Sequence, residues 1–151
     1  MPSSSPILYD PNCVFCKVAR SEVAAHVIAR DDLSMVFLDR SPVFLGHCLV
    51  IPISHYETLG DVPDKLIAPI FLQVKNVSSA VQKAMKADGA FVGMNNKISQ
   101  SVAHAHVHVV PRKAKDGLKG FFWPRQKYSS EEQALEIQEA IRRELASLNT
   151  P

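Results

Sequence analysis

The sequence predicts an α+β fold: an antiparallel sheet backed by one long helix and followed by a C-terminal helix. Three observations predict it. Apolar residues recur at helical spacing from Leu66 to Met85, strand-like runs upstream are joined by turns too short for a parallel crossover, and Ser130-Glu131-Glu132-Gln133 reads as a capping box before a last periodic stretch. With 151 residues, 46% hydrophobic and 21% charged, the chain has apolar material for one core, which disfavours disorder, collagen-like repeats and fibrous coiled coil.

Taken in order, residues 1–8 form a loose tail, Asp10-Pro11-Asn12 is a turn cluster, and residues 16–23 suit a short helix. Runs at 27–30 and 35–39 flank Asp31-Asp32-Leu33-Ser34 and read as a hairpin. Cys48-Leu49-Val50-Ile51 is an apolar strand stopped by Pro52. The long helix carries Leu66, Ile70, Val74, Val77, Val81 and Met85 in one stripe, and Pro69 either starts it or kinks its first turn. Asp88-Gly89 ends it, residues 91–94 restart a strand, and residues 103–110 form another. The last helix spaces Leu135, Gln138, Ile141, Leu145 and Leu148. The expected organisation is a domain over 9–125 and a helical extension, 126–151, packing on it.

Seventeen Lys and Arg against fifteen Asp and Glu leave a net charge of +2, which advertises neither a nucleic-acid nor a membrane partner. The basic residues between Arg112 and Lys127 read as a solvated loop. The best apolar run, residues 43–53, is broken by Gly46, His47 and Pro52 and is too short for a membrane span. The N-terminus lacks the basic start and apolar stretch of a secretory signal, so an intracellular, cytoplasmic protein is expected, with the nucleus as a further compartment. Three cysteines do not make a disulfide scaffold. Cys48 reads as packing material.

The decisive segment is His104-Ala105-His106-Val107-His108-Val109-Val110. Strand periodicity turns the three imidazoles to one face and Ala105, Val107 and Val109 to the core. Thr, Lys or Glu would serve better on a merely wet face, which leaves metal binding or nucleophilic chemistry for the histidines. The Cys13-x-x-Cys16 pair could be a zinc half-site, a redox motif or packing, and no thioredoxin-like βαβ context surrounds it. A tetrahedral zinc needs two more ligands, for which His55 and His104 are the candidates. Such a closed, structural site would leave His106 and His108 free.

The triad pattern resembles the signature of the histidine triad (HIT) superfamily. It is supported by Phe37-Leu38-Asp39-Arg40-Ser41-Pro42, by Gly46-His47-Cys48-Leu49-Val50-Ile51-Pro52, and by Asn95 with Gln100-Ser101-Val102. The chain is most similar to the Hint branch of purine nucleoside phosphoramidases, and the Cys13, Cys16, His55, His104 set resembles its zinc-binding microbial and fungal members. The resemblance implies the HIT fold and one structural zinc per chain.

It further implies a mechanism in which His106 attacks the α-phosphorus of a nucleoside 5′-phosphoramidate, forming a nucleotidyl-histidine that water hydrolyses. A backbone carbonyl accepting from the other ring nitrogen would hold the attacking tautomer. His108 and Ser101 would donate to the phosphate oxygens, with Asn95 and Gln100 as further phosphate-side contacts. Asp39 would bind the ribose of an AMP or GMP derivative, and Phe15, Val18, Val23 and Phe37 would grip the base. No Walker loop, paired Mg²⁺ carboxylates or HExxH helix is visible, so no metal is expected in the chemistry.

The resemblance also implies a homodimer, with Phe121, Phe122 and Trp123 buried against the partner. Two departures stand out: Ser99 occupies a place where glycine is usual, and Ala103 one where proline is frequent. Dinucleoside polyphosphate hydrolysis, or a nucleotide-sensing adaptor without turnover, are the alternative functions.

Overall fold

The computed structural model describes residues 7–118 and 125–148. Residues 1–116 and 117–151 make two compact units. The first contains α1 (Val14–Ala19), β1 (Val27–Arg30), β2 (Ser34–Leu38), β3 (Cys48–Pro52), a 3₁₀ turn at Leu59–Asp61, α2 (Asp64–Ala84), β4 (Gly89–Gly93) and β5 (Val107–Arg112). The five strands form one antiparallel sheet in the order β1-β2-β3-β5-β4. The second unit contains α3 (Glu131–Leu148).

Alternation along the strands divides the interior between the two faces of the sheet. Val36, Cys48, Val50, Val107 and Val109 turn toward α2 and pack with its Ile70, Val74, Val77 and Val81. Met35, Phe37, Leu49 and Ile51 turn the other way and pack with Cys13, Phe15, Cys16, Val18 and Ala19 of the N-terminal segment. Cys48 is core material on the α2 side, 1% exposed.

Several boundaries differ from the sequence reading. Helix α2 begins at Asp64 and runs through Pro69. A proline inside a helix costs roughly 3 kcal/mol. Four buried aliphatic side chains at about 1.5–3 kcal/mol each outweigh that loss, so the stripe decides and the helix continues. Helix α1 covers Val14–Ala19 rather than 16–23, because the Cys13 sulfur accepts the Cys16 N–H (3.4 Å) and caps its start, while Ser21 at φ 61° cannot extend it. Strand β4 covers Gly89–Gly93 rather than 91–94, paired from Gly89 opposite Arg112 to Gly93 opposite His108.

Strand β5 starts at Val107, not at residue 103. The Ala105 N–H is taken by the Tyr56 carbonyl (2.6 Å), so residues 104–106 are fixed by a loop rather than by the ladder. Ala105, Val107 and Val109 are nonetheless all in the core beneath α2.

At the start of α3 the Gln133 N–H bonds the Ser130 hydroxyl (3.1 Å), but the Gln133 side chain accepts from Ser129 N–H (2.8 Å) instead of Ser130, so the box is shifted on one side. Phe121, Phe122, Trp123 and residues 1–6 of the expected tail lie outside the described residues. Leu8 is tied down: its N–H bonds the Ser54 hydroxyl (3.3 Å) and its carbonyl accepts the His55 N–H (2.9 Å).

Candidate active site

On the sheet face opposite α2 a cavity of about 530 Å³ opens, within the size range of small-molecule sites. Phe15 and Val18 of α1, Val23 beyond it, Phe37 at the end of β2, Asp39, Ser101, His106 and His108 all line it. The apolar wall is also core: Phe15 meets Phe37 edge-on at 5.4 Å between centroids and His106 at 5.2 Å. Asn95 and Gln100 are not in the lining. The Asn95 amide donates to the Ser99 carbonyl (3.1 Å), and Gln100 spans the loop by accepting from Lys97 N–H (2.8 Å) and donating to the Glu57 carbonyl (2.6 Å).

His106 is 2% exposed, and its Nδ1 lies 2.7 Å from the His104 carbonyl. A carbonyl can only accept, so the proton sits on Nδ1 and the lone pair on Nε2. In this tautomer Nε2 is the nitrogen able to act as a nucleophile. His108 meets it edge-on, ring centroids 4.9 Å apart, at the strand position flanked by Leu49 of β3 and Gly93 of β4. Burial and the neighbouring His106 and His47 push the His108 basicity down to about 4, so its ring is neutral near pH 7. Asp39 Oδ1 accepts the Ser41 N–H (2.8 Å), a turn bond that leaves Oδ2 facing His47 at 3.6 Å.

Sequence reasoning did not single out His47 as a functional residue, nor His26, Arg40 and Ser41 of the lining. His47 is 3% exposed, and its Nε2 lies 2.9 Å from His108 Nδ1. Gly46, at φ +94°, turns the chain into β3 where a Cβ would come within 2.6 Å of Met85 Cγ. Its place just before a histidine at a strand start was the only sequence signal for this pairing.

Behind the triad, Cys13, Cys16, His55 and His104 converge, their ligand atoms all within 4.8 Å of one another. Cys13 Sγ is 3.4 Å and Cys16 Sγ 3.6 Å from His104 Nδ1, and Cys16 Sγ is 3.3 Å from His55 Nδ1. Zinc–sulfur and zinc–nitrogen bonds in a tetrahedron separate S and N ligands by about 3.6 Å, so the donors already stand near that spacing. The Pro52 carbonyl accepts from His104 Nε2–H at 2.9 Å, which leaves the Nδ1 lone pair toward the sulfurs. The four side chains fit a divalent, thiophilic cation. With no cation, burial pushes the Cys16 thiol up to about 11, and a bound cation would reverse that by taking the thiolate.

Residues 20–115 match the HIT domain model. The chain belongs to the HIT domain family. It is 33% identical over 144 residues to an adenylylsulfatase, HINT3, of Arabidopsis thaliana, covering 91% of this chain and 71% of that protein. It is 34% identical to the adenosine 5′-monophosphoramidase HNT1 of Saccharomyces cerevisiae, covering 82% and 77%. A crystal structure of a Zn-bound histidine triad family protein from Mycobacterium smegmatis superimposes with a TM-score of 0.68 at 30% identity, covering 90% of this chain and 97% of that one. The α+β architecture with its antiparallel sheet is that of the HIT fold.

The buried imidazoles give this HIT domain a stability that depends on pH. His47 and His108 are both less basic than a free imidazole, chiefly through burial. Between pH 6.5 and the value of about 4 to which burial lowers His108, the unfolded chain should bind a proton that the fold refuses, and His47 adds in the same direction, so stability should be full above 6.5 and decline as pH falls through that window. Thermal melts should show the midpoint dropping by several degrees from pH 7 to pH 4.5. A midpoint that stays level would mean these rings are solvated.

Proposed function

We propose that this HIT protein hydrolyses purine nucleoside 5′-phosphoramidates to the nucleoside monophosphate and an amine. The observation that carries the reading is the His106 ring: Nδ1 is held by the His104 carbonyl, leaving Nε2 as a neutral nucleophile in the wall of a cavity that also holds Asp39. Nε2 forms a bond to the α-phosphorus as the phosphorus–nitrogen bond breaks. The departing nitrogen keeps the electron pair and leaves as the amine on taking a proton from solvent, which the water of the second step gives back. Water then displaces the imidazole from phosphorus, releasing AMP or GMP and returning the neutral ring.

Each remaining residue serves the positioning and charge stabilisation on which phosphoryl transfer depends. His108 and Ser101 donate to the phosphate oxygens, Asp39 Oδ2 accepts from the ribose, and Phe15, Val18, Val23 and Phe37 enclose the base. Cys13, Cys16, His55 and His104 hold one zinc, which fixes the backbone of the triad from behind and stays out of the reaction. A homodimer belongs to the same reading, supported by the place of β4 at the end of the strand order with Val92 exposed, and by exposed Phe71 and Leu72 on α2.

The adenylylsulfatase relative favours a second leaving group, sulfate, on the same adenylyl half. Product analysis separates the readings. Adenosine 5′-phosphoramidate should give AMP and ammonia at a kcat/KM above that for adenosine 5′-phosphosulfate, which gives AMP and sulfate, and above that for a dinucleoside polyphosphate. Preference for either of the latter two would displace the phosphoramidate reading.

A further inference from the structure

We infer that His47 is a positioning residue that locks His108 in the one tautomer able to point an N–H at the substrate phosphate. The geometry decides this by elimination. The Val43 backbone N–H donates to His47 Nδ1 at 3.1 Å, and a backbone amide can do nothing but donate. His47 therefore carries its lone pair on Nδ1 and its proton on Nε2. That nitrogen lies 2.9 Å from His108 Nδ1 and 3.6 Å from Asp39 Oδ2, so the proton is given to His108. A ring that accepts at Nδ1 holds its own proton on Nε2, the nitrogen left for the cavity that His108 lines.

Two other uses of the cluster are excluded by the same amide. A second proton on His47 would set two hydrogens against each other at Nδ1, and burial of both rings opposes their charging in any case. Asp39, His47 and His108 also bring three ligand atoms together, but the Nε2 lone pair that a metal would need on His47 is occupied by hydrogen. The chain closes the turn firmly around this ring: the His47 N–H bonds the Phe44 carbonyl (3.0 Å), and the His47 carbonyl accepts from Asp39 N–H (2.9 Å). The backbone of residues 43–47 thus sets the protonation of a residue 61 positions further along the chain.

The catalytic consequence rests on the proposed phosphoramidase reading, whereas the tautomer does not, and the experiment keeps them apart. Two-bond ¹⁵N–¹H correlation spectra of the substrate-free protein should show His108 wholly as the Nε2–H form. In His47→Phe, which keeps a ring but has no donor, His108 should become a mixture of tautomers. In His47→Gln, whose amide can place an N–H near the lost Nε2, the Nε2–H form should return. On adenosine 5′-phosphoramidate the Phe variant should lose about 10–100-fold in kcat with little change in KM, as loss of a hydrogen bond that orients a site ring commonly does, and the Gln variant should recover part of it.

A wild-type spectrum with the proton on Nδ1, or an unaltered His108 in a folded Phe variant, overturns the lock. Should the Phe variant fail to fold, the wild-type and Gln spectra still decide. If no phosphoramidate is turned over by the wild type while the spectra behave as stated, the activity reading fails and the tautomer lock stands.

Discussion

His106→Ala should lower turnover of adenosine 5′-phosphoramidate by on the order of 10⁴-fold or more while leaving AMP affinity within a few-fold of the wild type. The expected split follows from what the ring does. Its Nε2 is the only lone pair of the triad that the surrounding hydrogen bonds leave toward the cavity, since Nδ1 of His108 is engaged with His47 and Nδ1 of His104 faces the two cysteines. On the proposed mechanism, removing it removes the atom that would bond to phosphorus, whereas Asp39, Ser101 and the apolar wall of the cavity are untouched. Because His106 is 2% exposed and packs on Phe15, the alanine also opens a void, so His106→Asn belongs beside it to keep volume without a nucleophile. Both variants should bind AMP in calorimetry, and neither should yield the nucleotidylated protein that the wild type gives after rapid denaturing quench at alkaline pH, where a phosphorus–imidazole bond survives. Turnover within tenfold of the wild type in either one would move the nucleophile elsewhere.

Features whose evidence lies within one stretch of chain were legible in the sequence. The stripe from Ile70 to Val81 gave α2 and its buried face, because four residues at helical spacing carry enough burial to override Pro69. The chemistry of the site was legible for a related reason: cysteine and histidine are costly, specialised choices, and Cys13, Cys16, His55 and His104 do converge. What remained hidden depends on contacts between distant segments. Strand β5 begins late because Tyr56 captures the Ala105 N–H, a bond no local pattern encodes. Gln100 turns into its own loop because Glu57 offers it a carbonyl. The His47–His108 pair exists only because β3 and β5 align Leu49 with His108, a register that neither strand specifies alone. Phe15 and Phe37 show a subtler limit. They are core and cavity wall at once, and apolarity in the sequence cannot divide the two roles.

Stripping the metal should be as damaging to the protein as His106→Ala is to turnover, and for a connected reason. Purified protein should carry about one zinc per chain, and a strong chelator should lower the melting midpoint by about 10 °C or more, since roughly 2–4 °C accompanies each kcal/mol in a chain of this size. The expected loss is smaller than the whole stability of a zinc finger because two apolar clusters hold the sheet independently of the ligands. It is still large, because Cys13, Cys16 and His104 are buried and tie the N-terminal segment to the start of the triad. The same residues stand behind one wall of the site: the His104 carbonyl fixes the His106 tautomer, and Phe15 touches both rings. Chelation should therefore reduce kcat as well, although none of the four candidate ligands lines the cavity, and added zinc should restore midpoint and rate together. Cys16→Ser should reproduce the loss and not respond to zinc. A chelated protein that melts where the untreated one does would show that the four side chains hold together by packing and hydrogen bonds, and that the triad needs no metal behind it.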